Sequence, residues 1–301
     1  MGEESVGSRR VGLALGSGSA RGWAHLGVIE VLVENGIEPE VVCGTSIGAL
    51  VGAFYVADQL PVLSDWASGL KTMDMVRFLD ITLGGRGGFI EGGRLIDFFQ
   101  DKIGDHLIED LTKPYGAVAT DLLTGQEIWF TRGSLLEAVR ASISIPGIFT
   151  PVRRGDQWLV DGGLVNPVPV SLCRALGADV VLAVDLNGKL VGRHFRTPAA
   201  GSDGERPAQG RGAKSLASSL LSDWLAPSDT PGVFDVLAGS LNIMQDRISR
   251  SRMAGDPPDV LVSPRVSHLE LLDFDRAEEA RSEGREAARN MLPAIRDVLS
   301  M

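Results

Sequence analysis

Three short segments hold residue types that could cooperate in attacking a carbonyl carbon. Gly44-Thr45-Ser46-Ile47-Gly48 is a Gly-x-Ser-x-Gly pentapeptide between a short apolar run and a helical pattern. That spacing suits a strained strand-to-helix turn, where glycines let strand and helix pass closely and leave the serine hydroxyl exposed near a helix N-terminus. Asp161-Gly162-Gly163 follows the apolar run Trp158-Leu159-Val160, so its carboxylate is expected at the carboxyl end of a strand, where α/β sites form. A partly desolvated Asp with a raised pKa can take a serine proton directly. Gly16-Ser17-Gly18-Ser19-Ala20-Arg21-Gly22 joins a strand to a helix and can aim backbone N–H groups at an anion. Beside Ser46 that anion would be the oxygen of a tetrahedral intermediate, with Arg21 adding positive charge.

Each segment has a plainer reading. The glycine loop could bind a dinucleotide, but counted from Gly16 the sixth position is Arg21, so the third glycine is misplaced. Arg21 could serve an ion pair at the helix start, and Asp161-Gly162-Gly163 could be an ordinary turn. His25 could be proposed as a base, but it sits among apolar residues on the helix after the glycine loop and is expected to pack there.

These segments must be positioned by alternating strands and helices. Val11–Leu15 and Glu40–Cys43 read as short buried strands, and Trp23–Glu34 and Ser46–Ala57 as helices. This alternation predicts an α/β fold with a mostly parallel central sheet. Pro61–Arg77, Leu95–Ile103, Leu135–Ser142 and Arg276–Leu299 read as further helices, with a glycine-rich loop at Gly84–Gly88. Tyr115–Thr120 and Glu127–Thr131 read as a hairpin, and Trp158–Val160, Val180–Asp185 and Val260–Ser263 as strands. Residues 188–214 are rich in Gly, Pro, Ala and Arg and read as a flexible insertion. Ser215–Ala226 then places Leu216, Leu220, Leu221, Trp224 and Leu225 on one helical face, suited to a lid, a membrane contact or simple docking on the core. The expected organisation is one domain over 1–301, its core about 11–186 plus 255–301.

Composition narrows the function classes. The net charge of −10 argues against a nucleic-acid binder. Cys43 and Cys173 lie in apolar runs without a CxxC pair, so both are expected to be buried and reduced. The four histidines show no metal-ligand spacing, and no metal or cofactor is expected. No apolar run approaches the length of a membrane span, and the apolar stretch after Arg9-Arg10 is too short for an export signal. The protein therefore reads as soluble and cytoplasmic, with peripheral contact at the inner face of the membrane left open.

The glycine loop, the pentapeptide around Ser46, the segment Ala141-Ser142-Ile143-Ser144-Ile145-Pro146-Gly147-Ile148-Phe149, and Asp161-Gly162-Gly163 occur in that order. Together they resemble the patatin-like phospholipase family, and closely its bacterial branch related to neuropathy target esterase. The likeness runs from Val11 to Asp185 and, more weakly, through Gly255-Asp256-Pro257-Pro258-Asp259. The resemblance implies a three-layer fold with helices on both sheet faces. It implies a Ser46–Asp161 dyad without histidine and an oxyanion hole matching Ser17, Gly18 and Ser19, supported by Gly16, Arg21, Gly22, Gly44, Gly48, Gly162 and Gly163. It also implies hydrolysis of phospholipid, lysophospholipid or simple fatty-acyl esters through an acyl-enzyme, with no metal. Many members carry glycines where serines 17 and 19 stand here, so the loop backbone must suit side chains. A lipid acyltransferase, or a partner-binding protein with vestigial activity, would share these motifs.

Overall fold

The computed structural model describes residues 9–70, 92–188 and 233–300. Its centre is an eight-stranded sheet made of β1 (Val11–Leu15), β2 (Val41–Thr45), β3 (Tyr115–Asp121), β4 (Glu127–Phe130), β5 (Val152–Arg154), β6 (Gln157–Asp161), β7 (Val180–Val184) and β8 (Val260–Val262). β3, β2, β1, β7 and β8 lie side by side and parallel. β4 and β6 run antiparallel to β3, and β5 pairs antiparallel with β6.

The central strands are buried along their whole length because both of their faces are covered. Alternate side chains enter different cores. Leu13, Leu15, Val42 and Leu182 join the larger core, packed by α1 (Ala24–Glu34), α2 (Ile47–Val56) and α8 (Ala277–Leu299). Ala14, Val41, Cys43, Val118 and Val181 join the smaller one with Leu172 and Cys173 of α6 (Val170–Ala175). Both cysteines are free and buried there. α3 (Leu60–Gly69), α4 (Gly93–Ile103) and α5 (Leu135–Ser142) extend the larger core.

The helix read as Pro61–Arg77 ends at Gly69, and residues beyond 70 lie outside the described part until 92. The expectations for Gly84–Gly88, for 189–214 and for Ser215–Ala226 also fall outside it. Among the described strands and α-helices, three had no counterpart in the sequence reading: β5, α6 and the 23-residue α7 (Val233–Gly255). α7 packs by the turn after Asp161 and is tied to β4 through Arg252 Nη2, 2.6 Å from Glu127 Oε2.

One consequence of register matters for everything that follows. β4 covers one edge of β3 along Ala117–Thr120. On the opposite edge Thr45 of β2 pairs with Val118, and Asp161 of β6 pairs with the next residue, Ala119. β2 and β6 therefore share one edge of β3 and end against each other.

Candidate active site

Ser46 leaves β2 with φ 57° and ψ −124°, a conformation few non-glycine residues adopt. The neighbouring glycines make it sterically feasible. A Cβ on Gly44 would lie 2.3 Å from Ala49 N, and one on Gly48 2.2 Å from Leu15 O. The turn is pinned from outside: Ser46 N–H donates to Ser142 Oγ (2.8 Å), which donates to Val118 O (2.6 Å). Ser142, quoted above only as part of a motif, thus holds the elbow against β3.

Asp161 ends β6 opposite Ser46. Its peptide is fixed by Asp161 N to Ser144 O (2.9 Å) and by Thr120 Oγ1 donating to Asp161 O (2.8 Å). Oδ1 accepts the Gly163 N–H at 2.7 Å, while Oδ2 has no hydrogen bond of regular geometry. Burial pushes the carboxyl up to about 6, and the nearby Ser46 hydroxyl and the Gly163 N–H pull against that rise. Gly162 turns the chain hard against β3, where a Cβ would sit 2.2 Å from Val118 O.

The glycine loop lies at the end of β1. Gly16 N donates to Val184 O (3.0 Å) and Ser17 N to Pro167 O (2.8 Å). One residue of the expected oxyanion set already has a backbone partner. The Ser17 N–H is engaged by the backbone of the neighbouring loop, and its hydroxyl donates to Gln245 Oε1 (3.1 Å). The N–H groups of Gly18, Ser19 and Ile47 meet no acceptor among the described residues. Ser19 accepts a left-handed φ of 50°, so a serine here does not distort the loop out of reach. Gly22 lets the loop close on the residue after Ser46, since a Cβ there would fall 2.2 Å from Ile47 Cγ1.

Arg21 is almost wholly buried behind this loop. Its Nε donates to Gly18 O (3.1 Å) and its Nη2 to Asn242 Oδ1 (2.8 Å), while Nη1 has no partner. Burial lowers its pKa to about 10, with Asp185 opposing, so it stays charged at neutral pH. His25 is packed as expected: Nε2 donates to Gly16 O (2.8 Å), and burial pushes the ring down to about 4. It is neutral at pH 7 and holds the loop.

Sequence reasoning missed α7's contribution. Gln245 Oε1 accepts from both Ser17 Oγ and Asn187 Nδ2 (3.1 Å each), and its Nε2 lies against Gly163. One side chain thus bridges the glycine loop and the Asp161 turn. The pattern of polar residues at 242, 245, 246 and 249 was the available sign, but polar spacing usually marks a solvated face. Among the described residues, no three His, Cys, Asp or Glu side chains group together for a metal.

The family model described as patatin-like phospholipase matches residues 13–174, more than half of the chain. The chain belongs to this family. A Mycobacterium bovis protein named "Uncharacterized NTE family protein Mb1092c" is 34% identical over 96% of this chain and 92% of its own length. Mouse "Patatin-like phospholipase domain-containing protein 7" is 35% identical over 60% of this chain and 14% of its own. The solved structure of VipD from Legionella pneumophila aligns with a TM-score of 0.45 and 11% identity, covering 95% of this chain and 67% of its own, too distant to carry an argument. As a patatin-like phospholipase the chain has the expected mostly parallel three-layer architecture.

Proposed function

We propose that this patatin-like phospholipase hydrolyses fatty-acyl esters of lipids with Ser46 as nucleophile and Asp161 as its base. The observation that carries the reading is the end-to-end meeting of β2 and β6 on one edge of β3, which brings a buried carboxylate to a serine on a strained elbow. Ser46 Oγ attacks the ester carbonyl as its proton passes to Asp161. The oxyanion is held by the N–H groups of Gly18 and Ser19, with Ile47 N–H adjoining and the charge of Arg21 behind the loop. Collapse expels the alcohol, which takes the proton back from Asp161. Water, deprotonated by the same carboxylate, then frees the acyl group and restores the serine.

Because Asp161 must be ionised to act, kcat/KM is expected to rise with pH through about 6. A limb near 4 would show that the carboxyl is not held in a desolvated site. Labelling with a fluorophosphonate and hydrolysis of p-nitrophenyl butyrate and lysophospholipid test the assignment. Ser46→Ala should abolish labelling, and Asp161→Asn should stay folded and lose about 10³-fold or more in turnover. A folded wild type that neither labels nor hydrolyses would replace this reading with a binding role.

A further inference from the structure

α7 is turned inside out. Its buried face is polar: Asn242, Gln245, Asp246 and Ser249 recur at helical spacing and point inward. Its outward face carries Val236, Leu237, Ile243 and Met244, all between 44% and 59% exposed. A helix normally buries its apolar stripe, so the exposed one calls for a partner.

The surroundings indicate which. Arg247 and Arg250 are exposed on the C-terminal half of the same helix, next to the apolar residues, with Arg250 Nε 3.0 Å from Asp246 Oδ1 and Arg247 the outward cation. Trp129 of β4 is 42% exposed on the sheet face that α7 covers, since it pairs with Val118 of the smaller core. Trp129 Nε1 donates to Glu127 Oε1, and Glu127 Oε2 takes Arg252, so the tryptophan sits beside the end of α7. Aliphatic side chains flanked by arginines and a half-exposed tryptophan match what a helix presents to an anionic lipid–water interface. The chain's net charge of −10 does not forbid this, because charges beyond about 8 Å are screened at physiological ionic strength. A lipid surface seated on α7 would stand about one helix diameter, ~10 Å, from the residues that hold the glycine loop.

We propose that the outer face of α7 is a docking surface for anionic lipid bilayers. It gives the esterase reading above its substrate source, and only in that sense rests on it. The test uses the full chain carrying Ser46→Ala, so that binding is measured whether or not the serine is catalytic. Co-sedimentation with phosphatidylcholine vesicles is compared with and without phosphatidylglycerol. Leu237→Glu/Ile243→Glu should weaken binding to both by about tenfold or more, and Arg247→Glu should weaken only the part that depends on phosphatidylglycerol. Three results would overturn the proposal. One is a parent that fails to bind vesicles, or that binds as well after both changes. Another is a double variant that melts well below the parent with binding unchanged, which would assign the face to residues 189–232 of the same chain. The third is a dimeric parent that the double variant dissociates, which would assign the face to a second copy.

Discussion

α7 and α8 are both 23 residues long, and they are oriented in opposite senses. α8 buries Ala277, Ala280, Gly284, Ala288 and Ile295 and sends its charges outward. It meets α1 so closely that a Cβ on Gly27 would lie 2.0 Å from Arg281 O, and one on Gly284 2.0 Å from Ala24 O. Glu30 of α1 clamps the crossing through Arg281 and Arg285 at its rim. α7 instead buries amides and a carboxylate. The difference separates a helix that stabilises by excluded water from one that stabilises by satisfied hydrogen bonds, and it falls on the two sides of one sheet. The side with large aliphatic residues is scaffold. The side with small strand residues leaves room for a polar network to hold the glycine loop and the Asp161 turn.

Substitutions can break this contrast, beginning with the largest effect. Gly284→Leu should cost about 4 kcal/mol or more and prevent stable folding, because the obstructing atoms are backbone and cannot move aside. Urea denaturation would detect it, and a stable variant would show that the α1–α8 crossing can open.

Next comes Asp161 itself. Its carboxyl is raised from 3.8 to about 6 by burial, so the folded state holds the proton more tightly than the unfolded chain. Its contribution is therefore favourable below about 4 and is lost as pH rises through 6, leaving a cost of about 3 kcal/mol at pH 8. Asp161→Asn should be more stable than wild type at pH 8 by up to that amount while losing activity, as measured by thermal unfolding across pH. His25 acts in the opposite direction: its ring is depressed to about 4, so its contribution is present above 6.5 and lost as pH falls. A single melting curve would mix the two, and comparing wild type with the Asn variant isolates Asp161.

Gln245→Leu comes third, at about 2 kcal/mol. It leaves the Ser17 hydroxyl and the Asn187 amide with an acceptor removed in a buried site. Turnover should fall about tenfold to a hundredfold with fluorophosphonate labelling slowed in parallel, since the loop proposed to hold the oxyanion loses its tether. The smallest change belongs to α7's outer face. Ile243→Glu should alter stability by no more than about 0.5 kcal/mol, whereas Ala288→Glu on the buried stripe of α8 should unfold the protein.

Much of this was legible in the amino-acid order. The strand before Ser46, the glycines around it, the apolar runs of β1 and β7, and the buried stripe of α8 are local patterns, set by sterics over a few residues or by a helical or strand period. Ser46, Asp161 and the loop from Gly16 to Gly22 could be singled out for that reason, and their order along the chain carried the family resemblance. What the tertiary structure alone decided is relational. That β6 ends against β2 on one edge of β3, that Ser17's N–H is taken by Pro167, and that α7 faces inward with its polar side all depend on pairing partners distant in sequence. A polar side chain looks solvent-facing until its buried partner is known, because hydrogen bonding reverses the cost of burying it.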